Sequence, residues 1–301
     1  MSSTAAASER GLPTRVRRRA RGGVGQKRSR RSSILLWTGV LLTLVFCLFP
    51  FYWIINTSLK TGAELSAGRL FPAHPSLDNY SSIFRNGDFT TALQTSLIDA
   101  GAATLIALVI GSFAGYALAR LRFPRKFLIL AVVLSISTFP PIAIAAPLFK
   151  LWTDIGLYNT YLGMILPFLT FVLPLTIYIL VTFFREIPKE LEEAALVDGA
   201  THFQAFRKVV LPLAAPGLVT AGLLAFIFAW NEFLLSITLT SSASRRPVSA
   251  AIAFFTGSQQ FQIPIGTISA ATVTITVPLI VLVVIFQKRI VAGLTAGAVK
   301  G

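Results

Sequence analysis

The residues best placed to act on a partner lie between Arg185 and Leu211, a stretch that holds five of the twelve acidic side chains. Pro188 suits the first position of a helix, where its missing N–H is no loss, and Glu190, Glu192 and Glu193 favour the positive end of that helix's dipole. Gly199 offers the left-handed residue on which such a helix stops. A second short helix is expected at once, with Thr201 as its cap and Gln204 as the capping-box partner. Phe203 and Phe206 share one face, Arg207 and Lys208 suit the C-terminal end, and Pro212 marks the start of the next apolar run. The chemistry of such a helix-turn-helix, charged at the rim and carrying apolar knobs, is docking rather than bond making. An elbow that only connects two helices is the blander alternative.

Other chemistries are poorly supplied. Asp99 and Glu232, near the ends of apolar runs, are the acids that an ion-coupled transporter would use as proton or sodium handles, but no inverted repeat relates the two halves of the chain. An intramembrane hydrolase needs a nucleophile beside a base, and neither His74 nor His202 lies in an apolar run. With those two histidines and the lone Cys47 there is no ligand cluster for zinc or iron and no intrachain disulfide. Gly25-Gln26-Lys27 lacks the Gly-Lys-Ser/Thr ending of a phosphate loop, so energy has to come from a partner or an ion gradient. No metal site and no cofactor is expected in this chain.

The elements that position these residues are set by composition. Of 301 residues 54% are apolar and 13% charged, with a mean hydropathy of +0.72, far from the roughly 25% charge of soluble domains. Soluble enzyme folds are thereby excluded, and an all-α membrane protein is expected. Six apolar runs, at 34–56, 93–119, 127–149, 161–184, 213–239 and 267–286, each reach the ~20 residues that cross a bilayer. The first is too long for a signal peptide and is expected to stay as an anchor. Proline interrupts the third run (Pro140, Pro141, Pro147), the fourth (Pro167, Pro174) and the sixth (Pro278), where kinks are expected.

Charge sets the orientation. Residues 1–33 hold ten Lys/Arg against Glu9 alone, and the chain as a whole is +15. That tail has no aromatic residue to stack on bases and abuts an apolar run, so a disordered, membrane-orienting role is preferred over nucleic-acid binding. With both termini cytoplasmic, 21 of the 27 basic residues fall on the inner side and six outside. The expected organisation is a basic tail at 1–33, a first span at 34–57, an external loop at 58–92, further spans over 93–288, and a cytoplasmic tail at 289–301. The connection at 240–266 carries Phe254, Phe255 and Phe261 among polar residues and suits either recognition or plain solvation.

Glu193-Ala194-Ala195, then Gly199, then Val209, Leu211 and Pro212 at fixed spacing resemble the EAA loop of binding-protein-dependent ABC importer permeases, with Val209 where the pattern usually has Ile. Trp230-Asn231-Glu232-Phe233 and the run from Gly293 to Gly301 look like the MalG-type permeases of carbohydrate importers, over everything but the basic tail. Within that family the sequence is most similar to permeases of actinobacterial trehalose importers, with maltose-type importers the nearby alternative. The resemblance implies a type I (MetI-like) permease core over 93–288, with a coupling helix within 188–212 that docks on an ATPase through Glu193, Ala194, Ala195, Asp198, Gly199, Phe203, Phe206, Leu211 and Pro212. It further implies two cytoplasmic ATPase subunits holding ATP and Mg, a second, non-identical permease, and an external sugar-binding protein. Gly293, Gly297 and Lys300 would form a flexible tail threading between the ATPases. Trp230, Asn231 and Glu232 fit a sugar path. Gly257, Ser258, Gln259, Gln260 and Phe261 fit a loop that probes the binding protein.

Overall fold

In the computed structural model of the chain the described residues are 30–85, 87–255 and 264–296. Gly257, Ser258, Gln259, Gln260 and Phe261, together with Gly297 and Lys300, lie outside them. The described chain is helical, with no strand among the described residues. It divides into two compact units, one up to Phe49 and one from Pro50 onward.

The first unit is most of α1 (Arg30–Ser58), whose side chains from Ile34 to Phe49 are exposed although nearly all are apolar. An apolar surface all round suits lipid or another helix rather than water.

In the second unit α1 ends against a folded loop. Asn79, in α2 (Asp78–Arg85), donates its Nδ2 to the carbonyls of Ser58 at 2.9 Å and Lys60 at 2.8 Å. The connection at 58–92 is therefore built rather than a bare loop, because α2 sits inside it and the next helix already starts at Asp88.

Three helices make the core: α3 (Asp88–Arg120), then, after α4 (Lys126–Ser137) and α5 (Pro141–Asp154), α6 (Tyr161–Glu186), and, beyond α7 (Lys189–Val197), α8 (His202–Ala205) and α9 (Leu211–Leu213), α10 (Ala215–Asn231). They meet through glycines. A Cβ on Gly111 would lie 2.8 Å from the Thr176 methyl, and one on Gly217 only 2.3 Å from the Phe183 ring. Between apolar helices in lipid, close van der Waals contact of this kind replaces the hydrophobic drive. Phe168, Leu180 and Phe184 of α6 are wholly buried in this packing.

Among the described residues four helices are long and apolar enough to cross a membrane, and two bent pairs bring the number to six if each pair is one span. The third apolar run is not one helix. Pro140 is extended (ψ 126°) and Pro141 opens α5, so α4 and α5 meet at 83°. The residue before a proline is pushed out of the helical region, and two prolines in succession enforce the break. The fifth run is not one helix either, since α10 stops at Asn231 and α11 (Leu234–Leu239) begins anew. Pro212 does not open α10: a π-helical turn at Phe206–Val210 leads into α9, and a bend of 74° intervenes at Ala214.

After α12 (Val248–Ala251) the chain closes with α13 (Ile265–Ala296), unbroken at Pro278. The helix also runs through Gly293, where a non-helical tail was expected: one glycine costs a helix about 1 kcal/mol, too little to stop a long one.

Candidate functional site

The ends of the core can be assigned from side-chain contacts. Arg120, at the end of α3, bonds to the residues that follow α6, whereas Thr95 and Ser96 near the start of α3 bond to Ser244 and Val248 beyond α11. Helices α3 and α6 therefore run in the same direction and α10 runs back between their ends. The charged stretch singled out in the sequence lies at the Arg120 end.

There the chain folds into an elbow. Pro188 is the cap of α7 rather than its first residue. The helix ends in a Schellman motif: Ala200 N–H donates to the carbonyl of Ala195 at 3.0 Å, Gly199 N–H to that of Leu196 at 3.1 Å, and Gly199 has φ +86°. Thr201 then opens α8 with a full capping box. Gln204 N–H donates to Thr201 Oγ1 at 3.2 Å and Thr201 N–H to Gln204 Oε1 at 2.9 Å.

The two phenylalanines of the elbow part company. Phe206 is buried, its ring 4.7 Å from Tyr116, 5.5 Å from Phe113 and 6.2 Å from Phe184. Phe203 is 58% exposed, and Val197 at 86% and Leu191 at 44% are exposed apolar side chains of α7. Glu190, Glu193, Ala194, Asp198, Gly199 and Pro212 are exposed too, while Ala195 and Leu211 are half-buried. The elbow thus exposes three apolar side chains among acidic ones and is held on a buried aromatic anchor.

Sequence reasoning passed over what fixes this elbow. Glu192, next to Glu193, is buried; its Oε2 lies 3.3 Å from Arg120 Nε and its Oε1 accepts from the Tyr116 hydroxyl. Arg120 Nη2 also donates to the Ile187 carbonyl at 2.7 Å. Removing one partner of such a buried pair typically costs about 3–5 kcal/mol. The signal was present in the helical period: Glu190, Glu193 and Val197 fall on one face, which leaves Glu192 with Ala195 and Leu196 on the other.

At the opposite end the candidate path residues do not converge. Trp230 is buried and its ring stacks on Phe226 at 5.5 Å. Glu232 holds the start of α11, accepting from Leu235 N–H at 2.9 Å on Oε1 and from Ser236 N–H at 3.0 Å on Oε2. Only Asn231 of the three is exposed. Asp99 is buried in α3, and neither of its oxygens has a hydrogen-bond partner among the described residues. A latch missed in the sequence is Asn159, at φ +58°, whose Oδ1 accepts from Ser241 N–H at 3.0 Å and Ser242 N–H at 3.2 Å. Among the described residues no three His, Cys, Asp or Glu side chains come together as a metal would require.

Helices long and apolar enough to span a membrane, a glycine-packed core and an exposed elbow ahead of α10 fit the permease core of an ABC importer of MetI-like fold. The chain belongs to the family of binding-protein-dependent transport system inner membrane components, whose model matches residues 107–295. It is thus a multi-pass protein of the plasma membrane.

Its relatives agree in class. The trehalose transport system permease protein SugB of Mycobacterium tuberculosis is 53% identical over 264 residues, covering 87% of this chain and 96% of that protein. The sulfoquinovosyl glycerol transport system permease protein SmoH of Agrobacterium fabrum is 43% identical, covering 86% and 91%. The trehalose/maltose transport system permease protein MalG of Thermococcus litoralis is 39% identical, covering 89% and 97%. The fold matches a chain of a bacterial ABC transporter involved in import of the acidic polysaccharide alginate, with a TM-score of 0.71 at 24% identity over 86% of this chain and 98% of that one.

Proposed function

We propose that this chain is one of two non-identical permeases of an importer for a disaccharide of the trehalose class, taking sugar from an external binding protein and driven by two cytoplasmic ATPase subunits that hold ATP and Mg. The observation that carries the substrate class is the 53% identity with a trehalose permease, spread over 87% of the chain. The 43% and 39% identities belong to permeases named for other or wider sugar sets, so trehalose is favoured over maltose.

In this reading the chain crosses the membrane six times, each bent pair counting as one span, with both termini in the cytoplasm. The excess of basic residues on the Arg120 side supports that orientation. The elbow of α7 and α8 is the coupling helix: Val197, Leu191 and Phe203 enter a cleft in an ATPase, with Glu190, Glu193 and Asp198 meeting its rim. Exposed apolar side chains on a rigid, capped frame are what an interface needs at its centre. Closure of the ATPases on ATP would then shift the elbow and turn the spans from inward-open to outward-open. Gly257 to Phe261 would probe the binding protein from outside, and the residues from Gly293 to Lys300 would reach the ATPases from inside.

Uptake tests the substrate. Cells lacking this gene should lose uptake of labelled trehalose and regain it on complementation, and unlabelled maltose in excess should compete only weakly. Normal trehalose uptake without the gene would discard the assignment.

A further inference from the structure

Building on the coupling role proposed above, we propose that Glu192, Arg120 and Tyr116 form a strut that makes the elbow and α3 move as one piece, so that they are positioning residues of the transport cycle. The Arg120 guanidinium joins three elements: α3, in whose last turn it sits, the Ile187 carbonyl that follows α6, and the Glu192 carboxylate of α7. Tyr116, one turn earlier on α3, holds the other Glu192 oxygen through its hydroxyl and carries Phe206 against its ring. Both charged side chains are hidden, at 6% and 11% exposure.

Fixing α7 against α3 does not by itself call for charge, because well-packed apolar side chains hold two elements at least as well as a buried ion pair. What the pair adds is intolerance of slip. If α7 slides, a carboxylate and a guanidinium are left uncompensated in a low-dielectric site, so displacing α7 and α3 together is the cheaper motion. The far end of α3 is tied in turn, since Ser96 Oγ accepts from Val248 N–H at 2.7 Å. A push on Val197 or Phe203 is thereby delivered, through one 33-residue helix, to the segments after α11.

The test uses the complete importer, with second permease, ATPases and binding protein, in lipid nanodiscs and proteoliposomes. Spin labels at Val109→Cys on the exposed side of α3 and Lys189→Cys on α7 report the distance between the two elements. In the native background that distance should change by less than about 2 Å between nucleotide-free and vanadate-trapped states, and Glu192→Gln should broaden its distribution. A shift of about 5 Å, one helical turn, in the native background would overturn the strut, as would an unchanged narrow distribution in Glu192→Gln.

Function gives the second readout. Glu192→Gln and Tyr116→Phe should retain the ATPases on purification and hydrolyse ATP, yet move about tenfold less trehalose per ATP. Full transport per ATP in both variants would also overturn the proposal. Failure of the coupling reading looks different: Val197→Asp with Phe203→Asp would then keep both ATPase binding and uptake.

Discussion

At the scale of single residues, two adjacent glutamates divide the work of the elbow. Glu193 stands in the motif that made the segment recognisable and is exposed, whereas Glu192 is turned inward onto Arg120 and Tyr116. The motif marks the positions proposed to meet a partner; it is silent on which neighbour holds the frame, because that depends on a contact 72 residues away in the chain. Glu232 carries the same lesson. An acid in an apolar run invites a reading as an ion handle or sugar contact; in the fold its oxygens also accept from the amides of Leu235 and Ser236. Gly199 was legible for a local reason, since a helix stop at φ +86° needs no distant partner. Replacing it with a β-branched residue forces a left-handed conformation that costs roughly 1–2 kcal/mol for L-residues. Gly199→Val should therefore insert into the membrane normally but lose most uptake, as measured by labelled trehalose at equal expression; wild-type uptake would show that the turn is not needed for coupling.

At the scale of elements, the prolines announced interruptions, and their strength depended on context. Pro167, Pro174 and Pro278 are carried inside continuous helices, while Pro140 with Pro141 breaks a span by 83°. The difference lies in the pairing: every proline removes one hydrogen bond and disfavours the helical region at the residue before it, and at 140–141 these effects fall on consecutive residues, with Pro140 itself extended. The break at Asn231 was not legible, because nothing in an apolar run of that length says that a side chain will cap a new helix inside it. That cap has a measurable weight. Glu232→Ala should destabilise α11 by about 1–2 kcal/mol, as loss of a cap does elsewhere. Hydrogen exchange should be faster at Leu235 and Ser236 and unchanged in α6; equal exchange at those amides would mean that the packing of Leu235 and Leu239 holds α11 unaided.

At the scale of the whole molecule, composition and charge carried most of the reading. Helical class followed from apolar runs of spanning length, and the proposed orientation rests on the placement of 27 basic residues. Cysteines placed between Thr57 and Ala92 should react with a membrane-impermeant maleimide on intact cells, and Gly199→Cys should react only after permeabilisation. Reaction of Gly199→Cys in intact cells would invert the topology. What the sequence could not display is how the helices touch, since glycines scattered through apolar runs look alike whether they face lipid or a neighbour. Among the described residues Gly39 and Gly101 meet nothing, while Gly111 and Gly217, which face α6, have no room for a single added carbon. The history of such a protein is constrained accordingly. Lipid-facing positions are free to drift among apolar residues, and loops are free to retune for a new sugar. Along the line where α3, α6 and α10 touch, by contrast, a larger residue at Gly111 or Gly217 has to be met by a retreat of Thr176 or Phe183, so change there is open only to paired substitutions.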